Sequence, residues 1–260
     1  MSLTLLDIGG TFIKCADGRQ IPISSDGSRE VIAGALRKAV EMPGLVGVAI
    51  PGPFDYRTGT FLMKHKFAAV YGERFQDLIG LSCDIRFMHD VVAVLAGSLA
   101  IPGTCSPNTA LITLGTGLGF SHSIDGVVLK ADTGSPARGI WNMPWEDGIL
   151  EDVASARGIR IAYARKTGDG SQSAYSIAKL AYAGDIAAME VYDNVGKVLG
   201  SALEPLQEEL CFDTLLVGGQ IAKSLSLMIK PLEAALPGIT IRQAPEGAVF
   251  RGLETLFENN

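Results

Sequence analysis

Residues 5–14 read LLDIGGTFIK, and residues 111–120 read LITLGTGLGF. Each is an apolar run, a Gly/Thr turn and then further apolar or β-branched residues, the pattern of a strand, a tight turn and a second strand. Gly9 and Gly10 let the backbone turn sharply and approach a ligand closely. Successive N–H groups in such a turn form a concavity that binds anions. Thr11 adds a hydroxyl donor and Lys14 a cation. Only the first turn carries a carboxylate, Asp7, at the end of its strand. A carboxylate beside a phosphate is repulsive unless a divalent cation bridges the two, and Mg²⁺ held by one carboxylate, phosphates and water meets that need. The same stretch also fits a plain hairpin in which Asp and Gly-Gly only make the turn.

Outward from these turns the chain reads as two similar halves. LTLLDI, TFIKCA and RQIPI form a meander, and SREVIAGALRKAVE has helical period, with Val31, Ala35, Leu36 and Ala39 on one face. The buried-type strand LVGVAI stops at PGP, and the strand DIRFM runs directly into the helix HDVVAVLAGSLA. From residue 109 the order restarts: strands TALITLG, GFSHSI and VVLK, then a helix over GILEDVASARGIRIAYA and two more over SAYSIAKLAYAG and DIAAMEVYDNVGKVLGSALEPLQEEL. The strand DTLLVGG, a helix over IAKSLSLMIKPLEAAL, the strand ITIRQ and a helix over VFRGLETLFEN close it. The reading is α/β, with two lobes and a ligand cleft expected between them.

Composition narrows the function. A net charge of −6 provides no basic stripe for nucleic acid. No apolar run is long enough for a membrane span, and the N-terminus lacks the marks of a signal peptide. Cys15, Cys83, Cys105 and Cys211 are scattered without CxxC spacing and suit reduced thiols, so a cytoplasmic protein is expected. His65, His89 and His122 form no HxxxH pair. The segment GGTFIK lacks P-loop spacing, and GTGLGF is not GxGxxG and leads into β-type residues, so neither nucleotide fold built on a helix N-terminus applies. What remains is a phosphate-gripping hairpin used twice, with Gly115, Thr116 and Gly117 facing the first turn.

Two further elements carry chemistry. VGGQIAKS places Gly218 and Gly219 at a strand-to-helix junction, where a purine ring can lie flat on the backbone; glycine pairs also occur there for packing alone. FMHDVVAVLAG places Asp90 where a strand ends and a helix begins. Its common use there is an N-cap, a role compatible with acting as general base for a substrate hydroxyl attacking a γ-phosphate.

Together these elements resemble the actin-like superfamily of sugar kinases and Hsp70-type ATPases, and within it the ROK family of bacterial sugar kinases and sugar-responsive repressors. DIGGTFIK resembles the first phosphate loop, GVAIPGPFD the PGP stretch, HDVVAVLAG the catalytic segment, LGTGLGFSHSIDG the second phosphate loop and LVGGQI the adenosine loop. The resemblance implies two actin-like (ribonuclease H-like) lobes with a nucleotide cleft between them. One lobe is expected over residues 1–100 with the helix 246–258 folded back onto it, the other over 101–245. It implies an ATP-dependent kinase acting on a sugar or sugar derivative, with Asp90 as base. The phosphates would lie on Gly9, Gly10, Thr11, Lys14, Gly115, Thr116 and Gly117, the adenosine near Gly218 and Gly219, and Mg²⁺ on Asp7 through water.

The departures fall on the acceptor side. ARGIWNMPW stands where the family carries GE-I-GH, with Gly139 in place of Glu and Asn142 in place of His. The cysteine-rich zinc segment is replaced by WEDGILEDVAS, which implies no structural zinc and leaves Glu151 as the acceptor-facing carboxylate. His89 stands where an Asn usually precedes the catalytic Asp, so acceptor contacts are expected from His89, Asn142 and Glu151. KHKFAAVYG carries Lys64, His65 and Lys66, a solvated loop or a site favouring an anionic acceptor. His122 is expected to be a satisfied structural side chain, and Trp141 and Trp145 to pack within the lobe. A catalytically silent sugar or nucleotide regulator is the alternative. Since the first strand begins by residue 3, no DNA-binding segment is expected before it. An ATPase using water is the third reading, and the sequence leaves a homodimer open.

Overall fold

The structure is a computed structural model and describes residues 2–258. The chain divides into two compact units. One holds the residues up to Thr104, Val128–Ala137 and the segment from Glu246 onward; the other holds Cys105–Val127 and Arg138–Pro245.

The first unit opens with the meander β1 (Leu3–Ile8), β2 (Phe12–Cys15) and β3 (Gln20–Pro22). Helix α1 (Arg29–Ala39) starts at Ser28, whose side chain accepts the Val31 N–H and satisfies one of the orphan donors of the first turn. Then follow β4 (Leu45–Ile50), the small hairpin β5 (Phe54–Asp55) and β6 (Thr60–Phe61), α2 (Phe75–Ile79), β7 (Asp84–His89) and α3 (Asp90–Ala100). The sheet order is β3-β2-β1-β4-β7, with β1, β4 and β7 parallel. Alternation sends Leu6, Ile8, Val46 and Val48 into the core shared with α1, while Leu5 and Ala49 face the core containing Val92 and Leu253. Because three neighbouring strands run parallel, their carboxyl ends lie on one edge. That edge carries Asp7, Ile50 and His89.

The second unit repeats the plan. Strands β8 (Thr109–Leu114), β9 (Leu118–Ile124) and β10 (Val127–Val128, of which Val128 falls in the first unit) lead to the hairpin β11 (Pro144–Trp145) and β12 (Gly148–Ile149). Helices α4 (Leu150–Val153), α5 (Ala156–Thr167), α6 (Ala174–Tyr182) and α7 (Ile186–Leu210) precede β13 (Thr214–Gly218), a 3₁₀ segment Gln220–Leu227, α8 (Ile229–Ala235) and β14 (Thr240–Gln243). The sheet order is β10-β9-β8-β13-β14, again an antiparallel pair followed by parallel neighbours. One strand plan is therefore used twice.

Two expected helices are broken. The helix read over residues 148–164 stops at Ala154 and restarts at Ser155, whose Oγ accepts the Gly158 N–H at 3.2 Å. The helix read over 221–236 is a 3₁₀ segment followed by α8. Pro231 has no N–H to continue a helix from that segment, and it is accommodated in the first turn of α8, where N–H groups have no intrahelical partner.

The C-terminal helix α9 (Ala248–Glu254) packs on α3 in the first unit. Gly97 and Gly252 meet at the crossing. A Cβ on Gly97 would collide with the Ala248 carbonyl and lie 2.6 Å from Gly252 N; a Cβ on Gly252 would collide with the Ala93 carbonyl. The two backbones touch because neither residue has a side chain.

Candidate active site

In the first unit, the β1–β2 turn closes through Gly9 N–H to the Phe12 carbonyl at 3.0 Å. The carbonyls of Gly10 and Thr11 accept from Ser25 and Ile23 at 2.9 and 3.0 Å, which fixes the turn against the next segment. Among the described residues the Gly10 and Thr11 N–H groups have no protein acceptor. Two successive free amides are what an anion-binding turn offers. Asp7 and Lys14 are cross-strand partners, with Lys14 Nζ 3.3 Å from Asp7 Oδ2. Burial pushes the Asp7 carboxyl above its usual range; Lys14 opposes this and the charge of Asp90 adds to it.

Asp90 reaches the same edge from β7. The expected N-cap role does not fall to it: His89 is the N-cap of α3, and Asp90 is the first helical residue. His89 Nδ1 lies 2.8 Å from Asp90 Oδ1 and 3.3 Å from Val91 N. A carboxylate can only accept, so the shorter contact requires Nδ1–H to donate to Asp90. The Val91 N–H is then served at 2.8 Å by the same carboxylate oxygen. Burial pushes the Asp90 carboxyl up, but His89, the Val91 N–H and the Lys66 charge outweigh it and hold Asp90 below the usual carboxylate range.

Two contributors near Asp90 were not singled out as site residues from sequence. Tyr56 donates its hydroxyl to the Ile50 carbonyl at 3.0 Å, and its ring centroid lies 5.8 Å from that of His89. Burial and the Asp90 charge hold its hydroxyl far above the ordinary phenol range, so it stays neutral. Lys66 is half-buried beside Phe67, whose N–H donates to the Ser25 carbonyl at 2.7 Å, while Ser25 N–H bonds Gly10. This ties the KHK loop to the first glycine turn. Lys64 lies over the Tyr71 ring, 5.1 Å from its centroid.

In the second unit, Gly115 N–H closes the β8–β9 turn onto the Gly117 carbonyl at 3.1 Å, and the Thr116 and Gly117 N–H groups lack protein acceptors among the described residues. Both turns thus close by one hydrogen bond and leave two successive amides free. Glu151 Oε2 accepts the Leu118 N–H at 2.8 Å. Asn142 is exposed in a turn of the 141–143 segment, and Gly139 is exposed beside it. Gly218 is buried at the end of β13; Gly219 has φ of 83°, and a Cβ there would lie 2.8 Å from the Leu114 carbonyl carbon. Close packing against β8 is therefore enough to require glycine at 219.

The expectation that His122 is satisfied is corrected. It is 4% exposed on β9, and its Nδ1 has no hydrogen-bond partner among the described residues. Burial and Arg138 hold its imidazole below the ordinary histidine range. Trp145 packs on the core of the second unit, while Trp141 is 49% exposed.

Among the described residues no group of three or more His, Cys, Asp or Glu side chains is placed to hold a metal, and no helix is long and apolar enough to cross a membrane. A single hard carboxylate beside free amides remains a suitable donor set for a magnesium ion whose other ligands are phosphate and water.

The strand plan, the paired glycine turns and the carboxylates at a parallel-strand edge define a protein of the actin-like two-lobed class. Within that class the chain belongs to the ROK family, whose pattern it matches over residues 22–254. It is 27% identical to a glucokinase of Halalkalibacterium halodurans, over 95% of this chain and 88% of that protein. The fold matches a ROK family glucokinase from Streptomyces griseus solved with glucose and AMPPNP, with TM-score 0.77, 21% identity and coverage of 96% and 97%. It also matches a ROK family transcriptional regulator, a homolog of the E. coli MLC protein, with TM-score 0.74, 17% identity and coverage of 97% and 77%.

Proposed function

We propose that the protein is an ATP-dependent kinase that transfers the γ-phosphoryl group to a hydroxyl of a sugar or sugar derivative. The observation that carries this reading is the pairing of an ionised, oriented carboxylate, Asp90, with a glycine turn offering two free amides, on one unit. A glucokinase relative and a glucose- and AMPPNP-bound structural neighbour support the class of substrate and phosphoryl donor.

In this reading the Gly10, Thr11, Thr116 and Gly117 amides hold phosphate oxygens, with Thr11 Oγ, Thr116 Oγ and Lys14 adding donors. Gly218 and Gly219 border the adenosine. Asp7 would hold Mg²⁺ through water, and such an ion would supply neutralisation of phosphate charge. Asp90 orients the acceptor hydroxyl and takes its proton as the O–P bond forms. A base held below the ordinary carboxylate range is weak in the ground state. That suits phosphoryl transfer, whose loose transition state leaves most of the proton transfer until late and draws mainly on positioning and charge. His89 has Nδ1–H committed to Asp90, which leaves Nε2 to meet a substrate hydroxyl.

The test is coupled ADP release across hexoses, N-acetylhexosamines, sugar acids and polyols, with Asp90→Asn as control. At least one acceptor should raise turnover well above background, and the Asn protein should lose that increment. No stimulating acceptor, or an Asn protein as active as the parent, overturns the kinase. A catalytically silent regulator is the second reading. It is favoured by Gly139 and the exposed Asn142 in place of acceptor-reading side chains, and it predicts sugar or nucleotide binding without turnover.

A further inference from the structure

The segment 141–156 contains Asn142 and Glu151, and it is built as a support for the second glycine turn. Glu151 N–H donates to the Trp141 carbonyl at 3.0 Å and Leu150 N–H to the Met143 carbonyl at 2.9 Å, which seats α4 on the 141–143 segment. From this seat the turn is held at both ends. Glu151 Oε2 accepts the Leu118 N–H at 2.8 Å on one side, and the Ala156 N–H donates to the Gly115 carbonyl at 2.8 Å on the other. The fit at Gly117 is tight: a Cβ there would lie 2.6 Å from Glu151 Oε2. Leu118 is buried, so an N–H left there without its acceptor would carry a desolvation penalty.

We propose that Glu151 is a positioning residue for the phosphate turn: it fixes Leu118 so that the free Thr116 and Gly117 amides keep one orientation. This rests on the reading of residues 115–118 as a phosphate-binding turn. It differs from the sequence expectation for Glu151, which aimed the side chain at the acceptor. The geometry commits one carboxylate oxygen to the turn instead. What the position requires is a hydrogen-bond acceptor at Oε2, a demand that an amide oxygen also meets.

The experiment compares the full-length parent with E151Q and E151A by equilibrium titration with a fluorescent ADP analogue, by steady-state kinetics, and by hydrogen exchange at the Leu118 amide. The proposal expects E151Q to bind nucleotide within about threefold of the parent and to keep Leu118 protected. E151A should bind roughly tenfold more weakly, show faster Leu118 exchange and raise KM for ATP more than KM for the acceptor. A156P is a second arm that does not depend on folding of E151A. Proline is favoured at the first helical position, and Ser155 is already extended, so only the N–H to Gly115 is lost; nucleotide binding should weaken here too. The proposal is overturned if E151A binds nucleotide like the parent, if E151Q is as impaired as E151A, or if A156P has no effect. A parent that binds no nucleotide overturns the kinase reading instead, and the Leu118 exchange rates in E151A and E151Q then decide the role of Glu151 alone.

Discussion

His89 Nδ1 lies 2.8 Å from Asp90 Oδ1, and this contact joins the Val91 N–H and the Lys66 charge in holding the carboxylate below its usual range. The His89 hydrogen bond is the largest of the effects that oppose burial there. Asp90→Asn is expected to reduce turnover by about 10²–10⁴-fold, the range of general-base contributions, with little change in the thermal melt. His89→Gln should move the acid limb of the kcat/KM profile upward toward the ordinary carboxylate range, because a lowering partner is gone. A pH profile unchanged by His89→Gln would contradict this account.

Asp7 is expected to cost stability at neutral pH. Its folded-state pKa is raised chiefly by burial, so it favours folding only when protonated, and that contribution is lost as pH rises through the raised value. Asp7→Asn should therefore raise Tm near pH 7 and abolish magnesium-dependent nucleotide binding. Calorimetry at pH 7 compared with pH 3.5 checks the sign: the gain should shrink at the lower pH.

Lys14 is 46% exposed, and its pairing with Asp7 contributes at most about 1 kcal/mol to stability. Its expected importance is to nucleotide. Lys14→Met should leave the urea midpoint nearly unchanged and weaken ATP binding about tenfold, the scale of one charge-assisted hydrogen bond.

The crossing of α3 and α9 leaves no space for a methyl group. Gly97→Ala should cost about 3 kcal/mol or more, read as a lower urea midpoint, because two backbones must separate to admit one Cβ. As α3 begins at Asp90, activity should fall with stability. Gly34→Ala, where no atom lies within 4 Å of the added Cβ, is the matched control and should be neutral or slightly stabilising.

His122 is buried neutral with a lowered folded-state pKa, so the unfolded chain binds the proton more readily. Its contribution is complete above about pH 6.5 and declines as pH falls toward the lowered value. Chemical denaturation between pH 7.5 and 5 should show this loss, and His122→Gln should flatten it.

The two glycine turns were legible because their constraint is local: a Gly/Thr turn between β-patterned runs has few other uses, and its repetition at the head of each half fixed the α/β plan. The strand-end position of Asp90 was legible for the same reason. The helix break at Ser155 was not, since GILEDVASARGIRIAYA has an unbroken helical period and the break depends on where α4 is seated by Trp141 and Met143. Tyr56 and Lys66 were missed as partners of Asp90 because they lie on separate segments of the chain, joined to it only by folding.

The sequence by itself thus determined the strand plan and the turns, both set by backbone preference over a few neighbours. Tertiary structure decided what each polar group is committed to. It bound His89 to Asp90, turned Glu151 onto Leu118 and left His122 Nδ1 without a partner among the described residues. It also gave Gly219 a packing reason to be glycine. Such commitments depend on distances of about 3 Å between atoms that can be a hundred residues apart in sequence, and hydrogen bonding is lost when those distances lengthen.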